Sequence, residues 1–130
     1  MRCADLAIDR WLSGFSLDSF LHRHVADVVA GLPPAVREDL MGDPSFCVCD
    51  YEPGPGVVMQ VPVGLPARKR ASRSVVLKRT LRFRSEPFIR WLIAHELAHA
   101  HLRHGGRVPG EDPEHAADAL AADWGFPRPS

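Results

Sequence analysis

Long apolar runs, a disulfide framework and an excess of one charge are all missing from this chain, and each absence narrows what it can be. No stretch approaches the ~20 consecutive apolar residues that a membrane-spanning helix needs. The start carries no basic region followed by an apolar core, so no signal peptide is expected. Cys3, Cys47 and Cys49 are odd in number and include a C-x-C pair, which gives no disulfide framework. A reducing, cytoplasmic setting is therefore the expectation. Lysine plus arginine and aspartate plus glutamate both total 16, so bulk charge points neither to nucleic acid nor to a membrane surface. Repeats, low-complexity tracts and linkers are absent as well. What is left is 130 residues, 45% hydrophobic and 25% charged, enough for one domain with a real core; a monomer is expected.

One short segment stands out against this ordinary background: His95-Glu96-Leu97-Ala98-His99, an H-E-x-x-H motif. Positions four apart on a helix differ by about 40° around the axis, so both imidazoles point the same way, one turn apart. They can share one zinc ion at bonds of about 2.0–2.1 Å. Glu96 lies about 100° round from His95 and can hold a water without ligating the metal. The segment reads as helical. Ser85 is a plausible N-cap, Glu86 and Pro87 suit a first turn, and Gly105-Gly106 is a stop. Between them Phe88, Trp91, Leu92, His95, His99 and Leu102 form one stripe. Two inward imidazoles with a glutamate between them are hard to satisfy without a metal. The motif points to a zinc hydrolase.

Catalytic zinc usually takes three protein ligands and leaves a position for water. A metzincin-like third histidine would fall at position 105, which is glycine. A second helix offers another candidate. Asp112 reads as its N-cap, Pro113 as its first residue and Gly125 as its stop. Glu114 and Asp118 share a face there. Glu114 can be the third ligand, and Asp118 can accept the outer N–H of a ligating histidine. The gap from His99 to Glu114 is short, which keeps His115 and Asp118 open as alternatives.

H-E-x-x-H followed on a second helix by E-x-x-A-D resembles the gluzincin zinc metallopeptidases. It is similar to the catalytic cores of HtpX and CaaX-type membrane peptidases, more loosely to the ImmA/IrrE family, and in size to the soluble minigluzincins. The resemblance implies one Zn2+ held by His95, His99 and Glu114, Glu96 as general base, and Asp118 as the acid behind the ligands. It also implies a backing helix before the active-site helix, and an extended peptide or protein substrate on a sheet-edge strand. Larger gluzincins supply a His or Tyr for the oxyanion after the second helix. Here His115, Arg107 and Tyr51, the one tyrosine, remain the candidates.

The remaining pattern supplies those parts. Residues 4–13 suggest a short helix. Residues 17–30 suggest a better one, with Ser16 as cap and Leu17, Phe20, Leu21, His24, Val25, Val28 and Val29 as its stripe. His22 reads as exposed and His24 as a core-edge residue rather than ligands. Pro34 to Met41 is a third short helix. From Ser45 the period changes to two, which predicts strands over 45–51, 57–63 and 74–83 separated by Pro- and Gly-rich turns. The expected class is α+β: an N-terminal backing helix, a small three-stranded antiparallel sheet, the H-E-x-x-H helix and a C-terminal glutamate helix, all in one domain.

Two other features bear on function. Cys47 and Cys49 lie upstream of the motif, as the cysteine ligand of a peptide deformylase would. However, no deformylase-like segment surrounds them, and they read as small core residues. Residues 68–90 carry Arg68, Lys69, Arg70, Arg73, Lys78, Arg79, Arg82, Arg84 and Arg90 against one acid, Glu86. Such a run can bind phosphate, blunt a sheet edge, or face a substrate cleft and favour acidic peptides. A zinc-stabilised binding module with little turnover is the alternative to a peptidase. The Pro-rich tail 126–130 could also cover the cleft and keep an enzyme latent.

Overall fold

The computed structural model describes residues 3–51, 73–104 and 113–129. Three short helices come first. Helix α1 (Cys3–Leu12) buries Ile8 and Leu12, which are four apart and so share a face. Helix α2 (Ser19–Ala30) buries Leu21, His24, Val25, Val28 and Val29. Its N-cap is Asp18 rather than Ser16: the Asp18 carboxylate accepts the Leu21 N–H at 2.8 Å. The cap falls here because Asp18 is also fixed from outside the helix, through its own N–H to the Asp50 carboxylate at 2.6 Å and through Arg82 at 2.6 Å. Gly31 closes α2, and a side chain there would meet the Phe126 ring, which stands 3.2 Å from where its Cβ would lie. Helix α3 (Pro34–Met41) starts on proline, as helices tolerate, and buries Val36 and Leu40.

The sheet differs from the expectation. Among the described residues it has two strands, β1 (Phe46–Tyr51) and β2 (Arg73–Lys78), and they pair parallel rather than as part of an antiparallel meander. Val48 faces Val75, and Asp50 faces Leu77. Parallel neighbours need a crossover of about a dozen residues or more, and residues 52–72 are enough for one. The expected strand over 57–63 lies outside the described residues. Phe46, Val48, Val75 and Leu77 are buried at period two, while Cys47 and Cys49 are half-buried on the opposite face.

The strand expected over 74–83 stops at Lys78 and becomes a 3₁₀ turn, Arg79–Phe83. Leu81 and Phe83 alternate like strand residues in the sequence, but only Leu81 is buried; Phe83 is 79% exposed. Tertiary contacts hold the turn. Arg79 Nε lies 3.2 Å from the fully buried Asp50 carboxylate, and Arg82 reaches Asp18.

Helix α4 (Glu86–His104) follows, with the Ser85 hydroxyl accepting the Phe88 N–H at 3.4 Å as the expected N-cap. It is the centre of the molecule. It packs on α2, α3 and β2 and on the last helix, α5 (Pro113–Asp123). Buried residues Ile89, Trp91, Ile93, Ala94, Leu97, Ala98 and Ala100 surround its axis. Helix α5 packs on α4 and buries Ala117 and Ala121, four apart on one face and both 0% exposed. Its end is a paired-turn stop. Phe126 N–H bonds to Ala121 O, Gly125 N–H bonds to Ala122 O, and Gly125 takes φ +100°, a left-handed conformation that glycine adopts without strain. No helix among the described residues is long and apolar enough to cross a membrane.

Candidate metal centre

His95 and His99 stand one turn apart on α4, their ring centroids 4.7 Å apart and their planes nearly perpendicular. Glu114 reaches them from the first turn of α5. One carboxylate oxygen lies 3.0 Å from His95 Nε2 and the other 3.3 Å from His99 Nε2. One donor atom from each of the three falls within 4.8 Å of the others. Among the described residues this is the one group of three His, Cys, Asp or Glu that converges in this way. Donors on a single tetrahedral zinc, with bonds of about 2.0–2.1 Å, would be about 3.3 Å apart, close to the two separations observed.

Proton bookkeeping supports the same use. His95 Nδ1 lies 3.0 Å from an Asp118 oxygen. An ionised carboxylate only accepts, so Nδ1 carries the proton. That leaves the Nε2 lone pair facing the Glu114 carboxylate at 3.0 Å. Two acceptors at that distance repel unless a cation lies between them or the imidazole is doubly protonated. The set of two imidazoles and one carboxylate suits a borderline divalent metal.

Asp118 is the hub behind the donors. The oxygen that accepts His95 Nδ1–H also accepts Trp91 Nε1–H at 2.9 Å. Burial pushes the Asp118 pKa up. The hydrogen bonds from Trp91 and His95, with the positive charge of Arg128, outweigh that and hold it below the usual aspartate value. Arg128 comes from the tail, its Nη1 3.9 Å from Asp118 and its guanidinium 4.9 Å from the Trp91 ring centroid. The described tail thus sits at Asp118 and Trp91, and Phe126 packs at Gly31.

Exposure grades across the group. The His95 side chain is 7% exposed, that of His99 20% and that of Glu114 71%, so the group is anchored inside and opens at Glu114. Glu96 lies outside the donor set. It is half-buried and lines a cavity of about 310 Å³ bounded by β2, the 3₁₀ turn and α4.

Among the described residues, no other sequence candidate joins the group. His115 is exposed on α5, and Tyr51 ends β1 half-buried; neither belongs to the donor set. Arg107 lies outside the described residues. Cys47 and Cys49 are not in the donor set either; Cys47 Sγ contacts Ser74 Oγ at 3.4 Å. His24 is buried, with Nδ1 on the Phe20 carbonyl and its ring stacked on Phe20, and His22 pairs with Asp9.

Sequence reasoning missed Trp91 and Arg128. In the sequence Trp91 reads only as an apolar stripe residue, yet it stands one turn before His95 and carries an N–H toward the same acid. A tryptophan four residues before His95, and so on the same helical face, was the available signal. Nothing local marks Arg128. Comparison with known proteins finds no matching family model, no matching curated protein and no matching solved structure.

Proposed function

We propose that this chain is a zinc-dependent metallopeptidase of the gluzincin kind. The observation that carries the reading is the convergence of His95, His99 and Glu114 while Glu96, between the two histidines in sequence, stays outside the set and borders an open cavity. A purely structural zinc site has no use for a carboxylate held beside it, and such sites are usually closed by four protein ligands.

His95, His99 and Glu114 would hold the ion. Bound there, zinc would supply a Lewis acid that acidifies water and polarises a carbonyl. The chain's own groups do the rest. Asp118 keeps the His95 proton on Nδ1 and its ring in one orientation, and Trp91 keeps Asp118 in place. Glu96 takes the proton of the attacking water and returns it to the leaving amine. The substrate lies extended along the β2 edge of the cavity that Glu96 borders, with main-chain hydrogen bonds to the strand.

The test is a diverse peptide library digested by zinc-loaded wild type and by Glu96→Gln, read by mass spectrometry beside a zinc assay. Cuts by wild type alone, with zinc bound equally by both proteins, are expected. Loss of zinc from Glu96→Gln would show that Glu96 is a ligand. Zinc in both and cuts in neither would replace the peptidase with a zinc-stabilised binding module.

A further inference from the structure

The cavity beside Glu96 is asymmetric in chemistry. Its apolar part is made by Val76, Leu77, Leu81, Phe88 and Leu92, and its cationic part by Lys78 and Arg84. Glu96 is the one carboxylate among its lining residues. Lys78 and Arg84 are exposed and both line the cavity, so their charges are accessible from solvent. Arg84 is also held: its guanidinium lies 3.8 Å from the Phe88 ring centroid, a cation–π contact that orients it over the apolar part. About 310 Å³ is at the lower end for ligand clefts and suits a short stretch of extended peptide.

We infer that this groove selects peptides in which an acidic residue adjoins a large apolar one, the acid paired with Lys78 and Arg84 and the apolar side chain seated between Leu81, Phe88 and Leu92. The inference rests on the peptide-binding reading above but specifies the substrate class, which the metal group by itself does not. The chain's overall charge is balanced, so the preference is local to this groove. Because both cations are exposed, the preference is modest and fades as salt screens it.

Binding to zinc-loaded Glu96→Gln tests this without requiring turnover. Fluorescent ten-residue peptides differing only in a Glu-Phe or Lys-Phe pair are titrated by anisotropy at low ionic strength. The Glu-Phe peptide is expected to bind about five-fold tighter or more, summing two exposed ion pairs. Adding Lys78→Gln and Arg84→Gln should remove the difference, and 0.5 M salt should shrink it. Equal binding of the two peptides, binding of neither, or a preference that survives the double substitution would each overturn the inference. Cleavage by wild type separates this from the peptidase reading. Acid-selective binding without cleavage defeats only the peptidase; cleavage without selectivity defeats only the groove assignment.

Discussion

Asp50 and Asp118 are both carboxylates that gather partners from distant parts of the chain, yet they do different work. Asp50 is fully buried in its side chain. One oxygen accepts the Asp18 N–H ahead of α2, and the other sits against Arg79 of the 3₁₀ turn. Each of those partners holds backbone in place. Asp118 is one-third exposed and puts both its donors, Trp91 and His95, on a single oxygen. One of those donors is a ring whose other nitrogen faces open donor atoms. The first carboxylate ties elements together. The second sets the direction of a histidine ring that belongs to the group able to hold a metal ion. What separates them is what the partner goes on to hold: the cap of α2 and the 3₁₀ turn at Asp50, and the His95 ring beside Glu114 at Asp118.

Substitutions at the two carboxylates should therefore have different consequences. The largest loss of stability should follow Asp50→Ala, which removes a charged acceptor and strands the Asp18 N–H; about 2–3 kcal/mol is expected from urea unfolding. Unchanged stability would remove Asp50 from its structural role. Asp118→Asn should do the reverse. Zinc affinity by competition with a chelator should fall about 10–100-fold, with metal-free stability changed by less than about 1 kcal/mol. If Asp118→Asn unfolded the metal-free protein as Asp50→Ala does, the distinction drawn here would collapse.

Acid titration offers a third handle. Burial raises the Asp18 pKa, but the Leu21 N–H and the nearby Arg82 and Arg79 more than compensate and leave it lowered. A depressed carboxylate stabilises the fold above its unfolded pKa of about 3.9, and that contribution is lost as pH falls through the folded value. Asp18→Ala should cost about 1 kcal/mol at pH 7 and flatten the acid limb of the stability curve. A wild-type-like acid limb would show that Asp18 does not drive it. The smallest effect is expected from Trp91→Phe, which keeps most of the ring but drops the N–H. Zinc binding should weaken a few-fold, in line with one hydrogen bond. A variant as poor as Asp118→Asn would mean that Trp91 acts through packing instead.

The donor set was legible in the sequence because its signals are local. Two histidines at helical spacing, a serine and a proline at helix starts, and Glu114 with Asp118 on one helical face need nothing distant to be read. The strand direction was not, because sequential period-two segments look alike whether they meet as hairpins or across a crossover, and residues 52–72 carry no mark of which. The same holds for the α2 cap. Ser16 and Asp18 are both good caps, and Asp50 and Arg82, both remote in sequence, decide between them. Trp91 escaped because its ring satisfies the apolar pattern that hides its N–H.

The alanine face of α5 has a consequence of its own. Glu114 is carried by α5 and the histidines by α4, so the spacing of the donors depends on how the two helices pack, and the small buried residues of α5 leave room for that packing. Larger side chains at positions 117 or 121 would wedge the helices apart and widen the gap. Which ion fits, and whether one fits at all, is thus calibrated by residues that never touch it.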